Sequence, residues 1–128
     1  MEIKNTNNKF IIKKNNTKIN IKSFDVLHGS VKTRGYLFNN IAYISDCKDI
    51  PKKNLTLLKK LNVLIIDCFR MNEHITHLDL NSTIELIQNL NPKKAILTNM
   101  HVDLDYGYLK KKLPKNIIPA YDGLSLNF

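Results

Sequence analysis

The sequence has little cysteine, and this shortage narrows what the protein can be. Of its 128 residues only Cys47 and Cys68 are cysteines, and no Cys-x-x-Cys pair occurs. The opening residues, MEIKNTNNKF, contain no apolar segment of the kind found in a secretory signal. We therefore expect a reduced, cytoplasmic protein without a disulfide framework.

Long apolar runs are also missing. A membrane-spanning helix needs ~18–20 consecutive apolar residues, and the longest apolar stretch here, LNVLIIDCF, is about half that length. It is therefore predicted to be a buried strand. A chain of 128 residues with 43% hydrophobic residues has room for one domain with its own core.

Arginine is scarce although the chain is basic. The formal net charge is +9, but only Arg34 and Arg70 are arginines, and the lysines are spread along the chain. Surfaces that bind nucleic-acid phosphates favour clustered arginine. The charge is therefore interpreted mainly as solvated surface, with an anionic substrate as the alternative.

What the sequence does contain is a regular succession of extended and helical patterns. Two asparagine pairs, Asn15-Asn16 and Asn39-Asn40, each separate two extended runs, and asparagine tolerates the positive φ of tight hairpin turns. The first half is therefore predicted to be an antiparallel meander.

From Pro51 onward the pattern alternates between helix and strand. A helix is predicted after Asp79 or Asn81, either of which can cap it, and Asn91-Pro92 ends it. The predicted helices are PKKNLTLLKKL, DLNSTIELIQNL and DLDYGYLKKKL, and the predicted strands are NVLIIDCF, KKAILTNM and IIPAYDGLSLNF. The fold class is α/β, a mixed sheet with helices packed on one face.

All four histidines lie just past the ends of predicted strands, at the edge where layered α/β folds build their sites. Together with one carboxylate they form a candidate ligand set for zinc or manganese. Their spacing matches no local metal motif, and each histidine taken singly is more often a surface or core-rim residue than a ligand. The set comprises His28, Asp46, His74, His77 and His101.

The local segments around these residues allow more than one interpretation. The loop His74-Ile75-Thr76-His77 can present its imidazoles to a phosphate or simply lead into the next helix. Asp103 has a structural alternative as well, because acidic residues near a helix start complement the helix dipole. The partner of Asp46 is open too, since Lys48 would serve as well as a metal ion.

Six sequence segments, in the order in which they occur along the chain, carry a family resemblance. They resemble the C-terminal half of metallo-β-lactamase-fold hydrolases, in the branch similar to phosphoribosyl cyclic phosphate phosphodiesterases, from about residue 17 to the end. The resemblance implies the C-terminal half of a four-layer αββα sandwich with a two-metal site at one edge. The blocks are LHGSVKTRGYLF, IAYISDCKDIP, NVLIIDCFR, HITHLDLNSTIELI, PKKAILTNMHVDLDY and PAYDGLSL.

The resemblance also implies roles for individual residues. His28 matches a metal-ligating histidine, Asp46 the carboxylate that bridges both ions, and His101 the final ligand. Family members often carry histidine where this chain has Asn99, so Asn99 and His101 both remain candidates for that position. His74 and His77 match the segment near the substrate phosphate and are the implied catalytic residues.

The implied function is hydrolysis of a small cyclic or nucleotide-derived phosphodiester with two divalent ions, Mn²⁺ or Zn²⁺. The ions would polarise the phosphodiester and activate water. An imidazole of His74 or His77 would bind the developing charge or protonate the leaving oxygen.

The chain departs from the family by lacking its His-x-His-x-Asp-His motif. We expect residues 1–128 to be a single, partial domain from which the N-terminal half with this motif is missing. Such a chain should bind metal weakly and hydrolyse nothing at a useful rate alone. The expectations are a truncated reading frame, an N-terminal half supplied in trans, or self-association. The alternatives are a non-enzymatic partner-binding module and an RNA-processing nuclease of the same fold.

Overall fold

The computed structural model describes residues 2–6 and 8–127, and these form one sheet of eight strands with three helices. A 3-10 turn at Thr56–Leu58 follows the first helix. The strands are β1 (Glu2–Thr6), β2 (Lys9–Lys14), β3 (Thr17–His28), β4 (Val31–Phe38), β5 (Ile41–Ile44), β6 (Val63–Asp67), β7 (Lys94–Thr98) and β8 (Ile117–Pro119), and the helices are α1 (Lys52–Leu55), α2 (Leu80–Leu90) and α3 (Tyr106–Lys112).

The strands lie in the sheet in their sequence order, antiparallel from β1 to β5 and parallel from β5 to β8. Both predicted hairpins are confirmed. Asn15 adopts φ 54° between β2 and β3, and Asn39 and Asn40 adopt 45° and 60° between β4 and β5. The mixed sheet therefore begins as a meander and ends as an α/β unit, as predicted.

The main core lies on the face of the sheet that the helices cover. Asp79 caps α2 by accepting a hydrogen bond from the Ser82 backbone N–H, and Asn91 ends the helix in the left-handed conformation. None of the helices in the described residues is long and apolar enough to cross a membrane. The fully buried core side chains include Val26, Ile44, Leu58, Leu64, Ile66, Ile87, Leu97 and Leu109.

The opposite face carries a smaller apolar cluster of Ile41, Val63 and Ile96. The end of the chain covers it only in part, leaving an open cavity of about 430 Å³. The predicted final strand is shorter than expected, because after Pro119 the chain leaves the sheet and turns at Tyr121–Leu124, where Gly123 has φ +89°.

The topology brings several loops to one edge. Because β3 and β5 each run antiparallel to β4, and β6 and β7 run parallel to β5, these four strands end on the same side of the sheet. His28 is the last residue of β3 rather than lying just past it, and the segments that follow β5, β6 and β7 carry the other histidines and Asp46.

Candidate metal centre

Backbone hydrogen bonds join the loops at this edge. The Leu27 N–H donates to the Asp49 carbonyl at 2.8 Å, and the Lys48 N–H donates back to the Leu27 carbonyl at 2.6 Å. The Leu78 N–H donates to the Cys47 carbonyl at 2.8 Å. The end of β3 and the loops that follow β5 and β6 are therefore held in one fixed arrangement.

This arrangement places His28, Asp46 and His77 in one group. Their ligand atoms all lie within 4.8 Å of one another, and the two Nε2 atoms of His28 and His77 are 3.0 Å apart. The histidines are half-buried and Asp46 is exposed. Two imidazoles from one side and a carboxylate open to solvent thus face a common point.

The geometry of His77 fits a metal ligand. Its Nδ1 lies 2.7 Å from Asp67 Oδ2, and because a carboxylate only accepts, Nδ1 carries the proton and Nε2 presents its lone pair toward His28. Imidazole nitrogens bind zinc at ~2.0–2.1 Å, which puts two of them about 3.3–3.4 Å apart around a tetrahedral ion. The two rings are hydrogen-bonded at 3.0 Å, so they would have to part by only a few tenths of an ångström to hold one divalent ion.

Asp67 holds His77 in place from a fully buried position. Its Oδ2 also accepts from the Cys47 backbone N–H at 2.9 Å, and its Oδ1 accepts from Asn99 Nδ2 at 3.2 Å. Burial raises the pKa of this carboxyl, and the hydrogen bonds from Cys47, His77 and Asn99 act against that rise. The buried group is thus fully hydrogen-bonded, as a fixed orienting carboxylate must be.

Asp46 does not pair with Lys48, the basic partner that the sequence allowed. Lys48 pairs with Glu73 at 3.6 Å instead, and no ion pair to Asp46 occurs among residues 8–127. The Ser45 hydroxyl donates to Asp46 Oδ2 at 2.9 Å, and Thr33 donates to the Asp46 backbone carbonyl at 2.6 Å. The loop is positioned while one carboxylate oxygen stays available.

His74 lies next to this group, but its hydrogen bonds leave it a different free ring nitrogen. Its Nδ1 accepts from the Thr76 backbone N–H at 3.3 Å, so in the neutral ring Nε2 carries the proton. Desolvation lowers the pKa of His74, and the neighbouring His77, Arg70 and Lys48 act in the same direction. A Cβ at Gly29, whose φ is +63°, would come within 2.9 Å of the Thr76 methyl, so glycine permits the close approach of this loop.

The structure places His101 outside the group. Its Nε2 lies 3.3 Å from Arg70 Nη2 and its Nδ1 lies 3.1 Å from Asp103 Oδ1. Asn99, the other candidate for the final ligand position, lies 3.4 Å from His77 Nδ1 and bonds to Asp67. Both ring nitrogens of His101 thus already have partners, whereas Asn99 supports the orienting carboxylate.

Three further residues belong to this site, although the sequence assigned none of them a role in it. Asp67 orients His77, Arg70 contacts His101, and the Phe69 ring packs against His74, His77 and His101 with centroid separations of 5.0, 4.6 and 5.6 Å. A charge ending the otherwise apolar run NVLII was the available signal for Asp67, because such a carboxylate must find partners.

These features define a class of protein. Residues 2–100 match the family described as the beta-lactamase superfamily domain, and the chain belongs to that family. The match begins earlier than the resemblance at about residue 17 and therefore includes the first hairpin. Its fold matches the metallo-β-lactamase fold.

Solved structures show what the chain is similar to. A diphosphatase from the PhnP family superposes with a TM-score of 0.85 at 30% identity, over 92% of this chain and 46% of its own. The short form of human tRNase Z gives a TM-score of 0.63 at 13% identity, over 91% and 46%. A metallo-β-lactamase-fold protein from Bacillus subtilis gives 0.65 at 12%, over 89% and 51%. The last two likenesses concern the fold alone.

A curated relative is an octanoyltransferase from Porphyromonas gingivalis, 28% identical over 109 residues, which are 83% of this chain and 22% of that protein. The chain thus spans about half the length of the solved structures above and about a fifth of this relative.

Proposed function

We propose that the chain carries part of the active site of a divalent-metal-dependent hydrolase acting on a small cyclic or nucleotide-derived phosphodiester. The observation that carries the proposal is the pair of imidazole Nε2 atoms 3.0 Å apart beside Asp46, one of them oriented by a buried carboxylate. The likeness to a PhnP-family diphosphatase at 30% identity supports phosphoric ester or anhydride chemistry.

In this proposal His28, Asp46 and His77 hold one Mn²⁺ or Zn²⁺ ion. The ion supplies a Lewis acid for the phosphoryl group and for the attacking water. Asp67 keeps Nδ1 of His77 protonated so that its Nε2 stays available. His101, the ligand implied by the family resemblance, remains a competing candidate for the third position.

His74 is proposed to act on the substrate rather than on the ion. Its lowered pKa favours the neutral ring, and the bond from the Thr76 backbone N–H to Nδ1 leaves Nε2–H to donate. A neutral imidazole donor beside the phosphoryl group can bind the developing negative charge. Protonation of the leaving oxygen would need the imidazolium form, which the lowered pKa disfavours.

A second ion, with Asp46 as the bridge, would need ligands beyond these three residues. We propose that a His-x-His-x-Asp-His segment elsewhere in the working protein provides them, in the same chain or in trans. We further propose a cytoplasmic location, in keeping with two free, buried cysteines.

Calorimetric titration of the chain with Mn²⁺ and Zn²⁺ tests the metal part. We expect measurable binding that His28→Ala and Asp46→Asn each abolish. The matched control is Asp49→Asn, which removes the same charge from the same exposed loop and should leave binding unchanged.

Hydrolysis of bis(p-nitrophenyl) phosphate tests the reaction. The chain mixed with a polypeptide carrying the histidine motif should hydrolyse the probe, and His74→Ala should lower kcat by about 10²–10³-fold. If metal binds but no mixture hydrolyses any phosphodiester, the non-enzymatic binding module becomes the better account. Steeply salt-dependent RNA binding would favour the nuclease instead.

A further inference from the structure

Lysine and tyrosine side chains gather on α3 and on the segment that follows it. From Tyr106 to Tyr121 the sequence has four lysines and three tyrosines and no acidic residue. Three of the lysines form the last turn of α3, and all seven side chains are exposed. We call this set the lysine–tyrosine surface. It consists of Tyr106, Tyr108, Lys110, Lys111, Lys112, Lys115 and Tyr121.

The lysines of this surface have no anionic partner among residues 8–127. The lysines and the arginine that form ion pairs there lie in the first half of the chain, at Lys32, Arg34 and Lys48. Asp105, the carboxylate next to the surface, caps α3 by accepting from the Tyr108 backbone N–H at 2.6 Å. The positive charge of the surface therefore remains available to a partner.

The lysines of this surface lie away from the candidate metal centre. α3 links the end of β7 to the start of β8, and these two strands are parallel. Beyond α3, the Asn116 carbonyl accepts from the Ala95 N–H at 2.8 Å, at the start of β7. The chain has therefore crossed from the edge that carries the histidines to the opposite edge of the sheet, where Lys115 lies.

The tyrosine rings are open enough to stack on a flat partner. Tyr108 and Tyr121 are 46% and 53% exposed. Tyr106 supports Tyr121, because their rings pack edge to face with centroids 5.9 Å apart, and Lys110 Nζ lies 6.0 Å from the Tyr106 ring centroid. Tyr108 and Lys112 are four residues apart on α3 and so lie on the same side of it. Aromatic rings thus lie beside cations in two places.

Cations beside exposed aromatic rings are the features with which proteins bind single-stranded nucleic acid, because phosphates attract the cations and bases stack on the rings. A lipid surface fits less well. Interfacial helices insert large apolar side chains, whereas the one leucine of α3, Leu109, is fully buried. The surface has no arginine and so lacks the bidentate fork that reads individual bases. The chemistry therefore suits single strands of any sequence.

We propose that the lysine–tyrosine surface binds single-stranded nucleic acid, with its lysines on the phosphates and Tyr108 and Tyr121 stacked on bases. This binding goes beyond the proposed function, since no residue of the candidate metal centre takes part and no bond is broken. Four lysines predict a slope of about −3 in a plot of log affinity against log salt concentration. The steep dependence that favours the nuclease would need phosphate contacts beyond these four.

Fluorescence anisotropy of a labelled oligouridine of about 12 nucleotides, titrated with the full chain, tests this binding. Tyr108→Ala should weaken it roughly 5–100-fold through lost stacking, whereas Tyr108→Phe keeps the ring and should bind within about 2-fold of the unchanged chain. The double change Lys111→Gln and Lys112→Gln should weaken binding roughly 10–30-fold near 0.1 M salt and make the salt slope shallower by about 1.4.

Two control variants remove the same chemistry outside the surface. Tyr43→Ala removes another exposed ring, and the double change Lys13→Gln and Lys14→Gln removes two other exposed lysines. Both should leave the affinity within about 2-fold. Losses in these controls equal to those in the surface variants would overturn the proposal. A loss of binding in His28→Ala would also overturn it, because the strand would then lie at the candidate metal centre.

Vesicles of phosphatidylserine and phosphatidylcholine separate nucleic acid from a lipid surface. Vesicle binding that Tyr108→Ala removes, without binding of the oligonucleotide, would contradict the proposal. The anisotropy assay needs no metal ion and measures no turnover. Its failure therefore leaves the proposed hydrolase intact, and a failure of metal binding or hydrolysis leaves this result intact.

Discussion

Two histidine–carboxylate pairs lie at the same edge of the sheet and differ in their surroundings. In the first, His77 Nδ1 is 2.7 Å from Asp67, and the two side chains are 13% and 0% exposed. In the second, His101 Nδ1 is 3.1 Å from Asp103, and the side chains are 36% and 38% exposed. The chemistry of each pair is the same, yet the free nitrogen of the ring faces a different group.

That difference decides what each histidine can do. His77 Nε2 faces His28 Nε2, another nitrogen that can present a lone pair to a cation. His101 Nε2 faces Arg70, which already uses the lone pair. A metal ion between the first two nitrogens would replace the hydrogen bond that they form with each other, whereas at His101 it would have to displace a charged guanidinium. We therefore assign the buried pair to the ion and the exposed pair to the guanidinium.

The largest effect is expected from removing the rings themselves. His77→Ala should weaken Zn²⁺ binding by more than ~100-fold, since a lost ligand exceeds the upper range for outer-shell changes. His101→Ala should change it by less than about 3-fold. Both are measured by competition with a chromophoric chelator, and the reverse order would make His101 the ligand.

The next largest effect on metal affinity is expected from replacing the carboxylate of each pair. Asp67→Asn keeps the volume but turns an N–H toward His77, which favours the tautomer with the proton on Nε2. Metal affinity should fall roughly 10–100-fold. Asp103→Asn is the matched change in the exposed pair and should alter metal affinity little. Equal losses in both variants would show that burial does not distinguish the pairs.

The free energy of unfolding should also be lowered more by a change in the buried pair than by the same change in the exposed pair. Asp67→Ala leaves the Cys47 N–H and the Asn99 amide without their acceptor and should cost about 1–3 kcal/mol in urea unfolding. Asp103→Ala removes an exposed pair and should cost less than about 1 kcal/mol. A stability loss in Asp103→Ala that matches that of Asp67→Ala would contradict the burial argument.

Thiol labelling gives the smallest and most local effect. Burial raises the pKa of both Cys47 and Cys68 to about 12, so at pH 8 the thiols stay protonated and react slowly in the native protein. Because the Cys47 N–H anchors Asp67, Asp67→Ala should speed labelling by a thiol-reactive disulfide, whereas Asp103→Ala should not. Fast labelling of the unchanged chain would show that Cys47 or Cys68 is accessible to solvent and would contradict their burial.

Much of this fold could be predicted from the sequence because local signals coincide with it. The asparagine pairs mark both hairpins, and the apolar periodicity marks α2, which Asp79 caps as one of the two expected residues. Pairing between distant segments has no such local signal. The length of β8 was overestimated because the run after Pro119 is apolar in order to cover the second face, not to extend the sheet.

The site was predictable only as a set of residues gathered at one edge. Strand ends located the histidines, but which ring nitrogen faces which group depends on contacts across 30 to 50 positions of sequence, such as His28 with His77 and Arg70 with His101. Family resemblance supplied roles for His28, Asp46 and His101, and those roles remain predictions. Asp67 and Arg70 needed the fold, because burial and contacts between distant segments are properties of the packed chain.

Long-range ¹H–¹⁵N NMR of the histidine rings during Zn²⁺ titration tests the central claim most directly. Each ring nitrogen gives its own signal, so the ligating atoms are identified without any measurement of activity. We predict that the Nε2 signals of His28 and His77 shift to the metal-bound range while His101 keeps a protonated Nδ1 and an unshifted Nε2. Zinc-induced shifts at His101 with none at His77 would contradict the account.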